Sequence, residues 1–450
     1  MSTTSPVEET TTTSGRPLPL PHGDQHIALI GLGAIGISFL ALHLTYTSAT
    51  VSVYDPRPDL QAHVARMLPL YMPVPRRGTS DCGDNSAGES TSASTSDISP
   101  PADSSADSLV SSLVTSRRLR FCTSLGEAVA HATVIQEQGP ETLSFKQATW
   151  SEVLRCTWPN TPRLWSSTSG IPASRQLEHL TSHAHPDSTS TSTSTSTSTS
   201  TSTSTSASTD TTSTSASGSA RSRLLVVHPF NPPHLMPLLE LVPSPSTSAE
   251  SVSFAESYFR TISSVHRPIT IQKETAGFVA NRLSFILFRE ACSLVARGVC
   301  TVEELDEVVR ASLGPRWAVG GPFRMYNFGG GQRGVAGFLE NIGGAIQGVW
   351  EDVDRQRESG GVVMDTEGEA VREGVREAVH EGMREKVDEE AAEAASVRDW
   401  KRVVTEQTVR AYGVPSAQDV RVRDRALGEV VALQGRLERE EKAGKEGEEK

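Results

Sequence analysis

The chain has 450 residues and a formal net charge of -12, from 42 Lys and Arg against 54 Asp and Glu. That balance argues against a general nucleic-acid or anionic-membrane binder, because neither polyanion would attract it over long range. Its hydrophobic fraction of 36% and aromatic fraction of 5% fall below those of an average globular protein, so the length overstates the foldable core.

The five cysteines are Cys82, Cys122, Cys156, Cys292 and Cys300. They form no C-x-x-C pair and leave an odd count, as expected of free thiols in the cytosol rather than a disulfide framework.

Residues 1–24 are polar and rich in Thr, Ser and Pro, and read as a disordered leader that fits neither a signal peptide nor a mitochondrial presequence. His26 to Tyr54 contains no Asp, Glu, Lys or Arg, and is long enough to cross a bilayer. Three glycines near its start and a Thr/Ser-rich break at Thr45 to Thr50 divide it instead into strand, helix and strand. The first strand is HIALIG (His26 to Gly31), the helix Ala34 to Thr45, and the second strand TVSVYD (Thr50 to Asp55).

A helical pattern at Leu60 to Tyr71 leads to a low-complexity insertion at about 75–107, and another helical pattern begins near Leu109. Further strand candidates are Thr133 to Gln136, Arg163 to Ser166 and Leu224 to His228. The last, LLVVH, is the apolar run typical of a buried parallel strand. Between them a second insertion, about 186–220, alternates Ser and Thr from Ser188 to Ser206. It has no apolar face to bury and reads as disordered.

After Lys273 the signals become helical. Phe278, Val279, Leu283, Ile286, Leu287, Leu294 and Val295 form an apolar stripe. Thr301 with Glu304 makes a capping box for a helix running to Leu313. Glu438 to Lys450 reads as a solvated tail.

The expected fold is an α/β Rossmann-type parallel-sheet domain at 25–272, carrying the two insertions. An all-α domain at 273–425 and a charged tail at 426–450 follow it.

Two constellations carry chemistry. GLGAIG follows a strand and opens a helix, the context that G-x-G-x-x-G requires. Gly31 permits the tight turn, Gly33 the approach of a pyrophosphate, and Gly36 close helix–strand packing, so the amides around Ala34 and Ile35 would face the phosphates. Asp55, 19 positions after Gly36, would accept hydrogen bonds from the adenosine ribose. This favours NAD, with Arg57 keeping NADP open.

The second constellation is HPFNPP. His228 would stand at the carboxyl end of a parallel strand, with Glu240 12 positions on to orient it. Ser169, Asn231 and Asn281 supply neutral hydrogen-bonding partners for alcohol oxidation by hydride transfer.

In this order GLGAIGISF with Tyr54-Asp55, QEQGPE with Lys146, SSTS, HPFNPPHLMPLLELVPSP and KETAGFVANRL resemble the 3-hydroxyacyl-CoA dehydrogenase superfamily. SSTS, HPFNPP and LGPRWAVGGPF (Leu313 to Phe323) are most similar to its lambda-crystallin or L-gulonate 3-dehydrogenase branch, with L-carnitine dehydrogenase close behind.

The resemblance implies His228 as base, Glu240 as its partner, and Ser169 and Asn231 as substrate-hydroxyl contacts. Asn281 completes the site from the helical domain. It further implies Glu141 and Lys146 on the nicotinamide side, a homodimer, and a small 3-hydroxy acid substrate oxidised to its 3-keto form.

Ser167 stands where acyl-CoA enzymes carry the Asn of SNTS, and no Lys precedes Lys146. Both weigh against the acyl-CoA rival. The rival of another class, a non-catalytic NAD-binding crystallin-like protein, is disfavoured by the intact polar set. No metal-ligand spacing is present. Trp317 reads as core, and Arg316 as a lesser candidate for a substrate carboxylate.

Overall fold

The computed structural model describes residues 25–72, 103–157, 160–178, 220–263, 265–358, 362 and 399–448. The leader, the Ser/Thr alternation, Cys82 and most of the first insertion lie outside these residues. The chain forms two compact units that divide between Phe278 and Val279.

The first unit is built on β1 (His26–Ile30), β2 (Thr50–Tyr54), β3 (Leu119–Phe121), β4 (Val134–Glu137), β5 (Arg163–Ser166), β6 (Leu224–Pro229), β7 (Leu238–Pro243) and β8 (Arg267–Thr270). They form one sheet in the order β3-β2-β1-β4-β5-β6-β7-β8. Every neighbouring pair is parallel except β6 with β7.

Helices cover both faces, which is why the strands read as continuous apolar runs rather than alternating ones. On one face α1 (Ala34–Tyr46), α2 (Leu60–Tyr71), α3 (Asp103–Thr115) and α7 (Ala249–Ile262) pack Phe39, Leu40, Val64, Val110 and Phe259 against Leu29, Val51 and Val227. On the other, α4 (Leu125–Val129), α5 (Leu143–Thr157) and α6 (Ala173–Gln176) pack Val129, Trp150, Val153 and Ala173 against Ile135, Leu164 and Val226. Each such aliphatic side chain, fully buried, contributes roughly 1.5–3 kcal/mol before entropy is counted.

Helix α1 is apolar around its circumference and buried from Gly36 to Leu44, as a helix sandwiched in a core must be. Its carboxyl end is satisfied by Arg118. That guanidinium donates to the carbonyls of Ala49, Leu44 and Thr47, the first two at 3.0 and 3.2 Å.

The second unit is helical: α8 (Ala280–Ala296), α9 (Val302–Ala311), α10 (Leu313–Val319), α11 (Pro322–Gly329), α12 (Gly334–Glu358), α13 (Trp400–Tyr412) and α14 (Ala417–Glu448). The Thr301–Glu304 capping box is present. Among the described residues its core is small, with Cys292, Ala296, Val362 and Trp400 clustered around the contact of α8 with α13.

Three expectations are corrected here. The stripe on α8 is not core along its length, since Leu283 is 62% and Ile286 60% exposed. Only the carboxyl half, at Cys292, Val295 and Ala296, is covered. Trp317 is 40% exposed rather than core. The helix from Thr301 ends at Ala311 and a new one starts at Leu313, because Ser312 leaves the helical region (φ -125°, ψ -74°). The charged end is helical and exposed from Glu438 to Lys445: it continues α14 to Glu448, and Glu441 pairs with Arg324 at 3.3 Å and Lys445 at 3.1 Å.

Candidate active site

The cofactor end begins where β1 turns into α1. Gly31 holds φ +92°, and a Cβ there would lie 3.0 Å from the Gln138 carbonyl. Gly36 is still tighter, since its Cβ would lie 2.0 Å from the Gly31 carbonyl oxygen. Gly33 is different. As the N-cap of α1 it makes no side-chain cap, no acidic residue occupies the first turn, and a Cβ would meet nothing within 4 Å.

The opening of α1 around Ala34 and Ile35 therefore presents uncapped amides beneath open space, which suits a pyrophosphate. Asp55, one residue past β2, accepts from the Leu32 amide at 2.7 Å. Its other oxygen takes the Arg57 amide at 3.1 Å and Arg57 Nε at 2.9 Å. Burial alone would raise this carboxyl, but the Leu32 amide and Arg57 outweigh it and hold the group below the usual carboxylate range. Asp55 is thus ionised and fixed, and Oδ2 keeps a lone pair for a ribose hydroxyl.

The second constellation lies at the carboxyl edge of β5 and β6. Strand register settles its main pair, because His228 and Glu240 are direct cross-strand partners in the antiparallel β6–β7 ladder. Their side chains meet on one face, with His228 Nδ1 2.8 Å from Glu240 Oε2 and both residues buried. The carboxylate accepts from Nδ1–H, which makes Nε2 the basic nitrogen. The Phe278 ring flanks the imidazole with centroids 5.2 Å apart, and Phe278 adopts φ +53° to reach it.

Ser169 follows β5, whose Ser166 pairs with Val226 two residues before His228. Ser169 and His228 therefore share one edge although 59 positions separate them. Asn231 lies exposed just beyond β6. Asn281, the second residue of α8, belongs to the helical unit.

Sequence reasoning missed a carboxylate. Glu137, at the end of β4, is fully buried and takes both Lys146 contacts at 3.1 and 3.0 Å. It also accepts from the Gly139 amide at 2.6 Å and from Ser166 Oγ at 3.1 Å. Lys146 is itself fully buried and reaches Glu141 Oε2 at 3.6 Å.

Glu141 gathers the strand-end loop, accepting from Thr168 Oγ1, from the Ser169 amide at 2.8 Å and from the Gly170 amide at 3.1 Å. Lys146 thus stands beneath the site, while the exposed Glu141 faces it. The signal for Glu137 was an acid closing the apolar run TVIQE. A buried carboxylate requires a partner.

The arrangement provides a general base oriented by a carboxylate, a hydroxyl-bearing loop at the same edge and an anion-accepting helix start. That set can remove the proton of an alcohol whose hydride leaves to a dinucleotide. Among the described residues no helix is long and apolar enough to cross a membrane, and Cys122, Cys156, Cys292 and Cys300 are free.

Comparison with known proteins finds two family matches and several relatives. Residues 187–275 match the family described as 3-hydroxyacyl-CoA dehydrogenase, NAD binding domain, and residues 277–357 match its C-terminal domain. A 3-hydroxyacyl-CoA dehydrogenase of Gibberella moniliformis is 36% identical over 234 residues, 52% of this chain and 60% of that protein. L-Carnitine dehydrogenase of Streptomyces coelicolor is 29% identical over 330 residues, 73% of this chain and 81% of that protein. The Oceanobacillus iheyensis L-carnitine dehydrogenase is 34% identical over 237 residues, 52% of this chain and 64% of that protein. The chain therefore spans 60%, 81% and 64% of these three relatives' own lengths.

Proposed function

We propose that the chain is an NAD-dependent oxidoreductase of the 3-hydroxyacyl-CoA dehydrogenase superfamily acting on CH–OH groups, and that it oxidises a small free 3-hydroxy acid of the L-gulonate or L-carnitine kind to its 3-keto form. The observation that carries the reading is the buried His228 Nδ1–Glu240 Oε2 contact at 2.8 Å.

His228 Nε2 takes the hydroxyl proton, and Glu240 stabilises the imidazolium that results. Ser169 and Asn231 hold the substrate oxygen, and the resemblance to the family adds Asn281, which lies in the helical unit. Gly31, Gly33, Ala34, Ile35 and Gly36 receive the phosphates, Asp55 the ribose, and Glu141, held by Lys146, the nicotinamide side. NAD, when bound, supplies the hydride acceptor.

A second reading, oxidation of a 3-hydroxyacyl-CoA, draws on the 36% identity to the Gibberella enzyme of that name. It is weakened because no Lys precedes Lys146 to meet the CoA phosphates. NADH formation with L-gulonate, L-carnitine, L-3-hydroxybutyrate and 3-hydroxybutyryl-CoA decides between them. Turnover of the thioester alone would replace the first reading by the second, and turnover of none would remove both.

The proposal includes a cytosolic homodimer. Free thiols fit the compartment, and the exposed apolar half of α8 fits a surface covered by a second copy.

A further inference from the structure

The connection from β6 to β7 carries Asn231 outside regular structure, so its position depends on what grips it from elsewhere. Ser38 is the one hydroxyl in the first two turns of α1 and is fully buried. Its partner lies 196 positions away: the His234 amide donates to Ser38 Oγ at 2.9 Å, and the same oxygen bonds His234 Nδ1 at 2.9 Å. The His234 ring also packs edge-on against Tyr71 of α2, centroids 4.7 Å apart. One residue earlier, the Pro233 carbonyl accepts from Nε2 of the buried His266, just before β8, at 2.9 Å.

A buried hydroxyl is destabilising unless bonded. Ser38 meets that requirement with the loop that follows the catalytic strand. It does so one turn beyond the amides that face the phosphates.

We propose that Ser38 and His234 are positioning residues, whose paired hydrogen bonds fasten the Asn231 loop to the cofactor-facing helix and so register the substrate hydroxyl contact against the cofactor. The inference rests on the dehydrogenase reading for the role of Asn231, while the grip itself is independent of it. A displacement of about 1 Å in a positioning element can cost on the order of 100-fold in rate, so a loosened loop should be visible in kcat.

The test uses the full-length protein as wild type, Ser38→Ala, His234→Ala and His234→Asn. Amide hydrogen exchange is followed across residues 229–237 with and without saturating NADH, NADH affinity by fluorescence, and kcat on the best panel substrate. Ser38→Ala removes both bonds. It should speed loop exchange at least about tenfold, abolish the slowing that NADH causes in wild type, and lower kcat about tenfold with NADH affinity within about twofold.

His234→Ala keeps the amide bond and should be milder. His234→Asn, whose amide both donates and accepts, should recover most of the loss. A role in bulk packing would instead make His234→Ala the worst variant and leave His234→Asn no better.

Unchanged loop exchange in Ser38→Ala, or no effect of NADH on the wild-type loop, overturns the proposal. Absence of turnover on every substrate would sink the dehydrogenase reading while the exchange measurements still decide the grip.

Discussion

In the proposed mechanism His228 and Glu240 act as one unit, because the carboxylate, 2.8 Å from the imidazole, would serve only to orient and stabilise it. His228→Gln should lower kcat by about 10² to 10⁴ with NADH binding retained. Glu240→Gln should cost a similar or smaller factor, and the double variant little more than the worse single one. Additive losses, seen by steady-state kinetics, would mean the pair does not share one step.

Lys146 behaves differently, since both it and Glu137 are fully buried. Lys146→Met leaves an uncompensated buried carboxylate and should destabilise the fold by about 3–5 kcal/mol, whereas adding Glu137→Gln should return much of that. Urea unfolding of the single and double variants checks this, and equal stability of the two would contradict it.

In helix α1, two glycines of one motif meet opposite surroundings. Gly33 faces open space, whereas a Cβ on Gly36 would lie 2.0 Å from the Gly31 carbonyl oxygen. Gly33→Ala should therefore fold with a melting temperature near wild type yet bind NADH at least about tenfold more weakly, because the new methyl enters the phosphate space. Gly36→Ala should lower the melting temperature, because helix and turn must move apart. Calorimetry with NADH titration separates the two, and a stable, tight-binding Gly33→Ala would remove that glycine from the cofactor site.

The same reasoning applies to the β6–β7 ladder. A one-residue slip would turn Glu240 to the opposite face and dissolve the dyad.

Stability of the whole fold should depend on pH through His43, fully buried in α1 between Tyr258 at 2.8 Å and Gln136 at 3.1 Å. Burial pushes its pKa down from 6.5 to about 4. The unfolded chain therefore binds this proton first, so the neutral ring's contribution is complete above pH 6.5 and is lost as pH falls towards 4. The full loss is on the order of 3 kcal/mol.

Melting temperatures taken from pH 7.5 to 4.5 should fall more steeply in wild type than in His43→Gln. Parallel slopes would assign the effect to other groups. At the level of assembly, sedimentation should give a dimer that Leu283→Glu with Ile286→Glu converts to monomer. A monomeric wild type would remove the homodimer from the proposal.

The glycine motif, the run LLVVH, the acid ending TVSVYD and the Thr301–Glu304 box were legible in the amino-acid order, because each depends on backbone sterics or hydrogen bonds within a few residues. They gave the parallel sheet, the helix-start anion site and the placing of His228 at a strand end. Residue chemistry also offered Glu240 to orient that histidine and Ser169 and Asn231 as neutral partners, and the resemblance to a known family narrowed the last two to substrate-hydroxyl contacts.

Three features were not legible. The pairing of Glu137 with Lys146, the bonding of Ser38 to a residue 196 positions away and the exposure of the Leu283 to Phe288 face each depend on which surfaces the folded chain brings together. Burial and partner choice are long-range properties. A serine or glutamate in an apolar run announces that a partner is required, and only packing says which one it is.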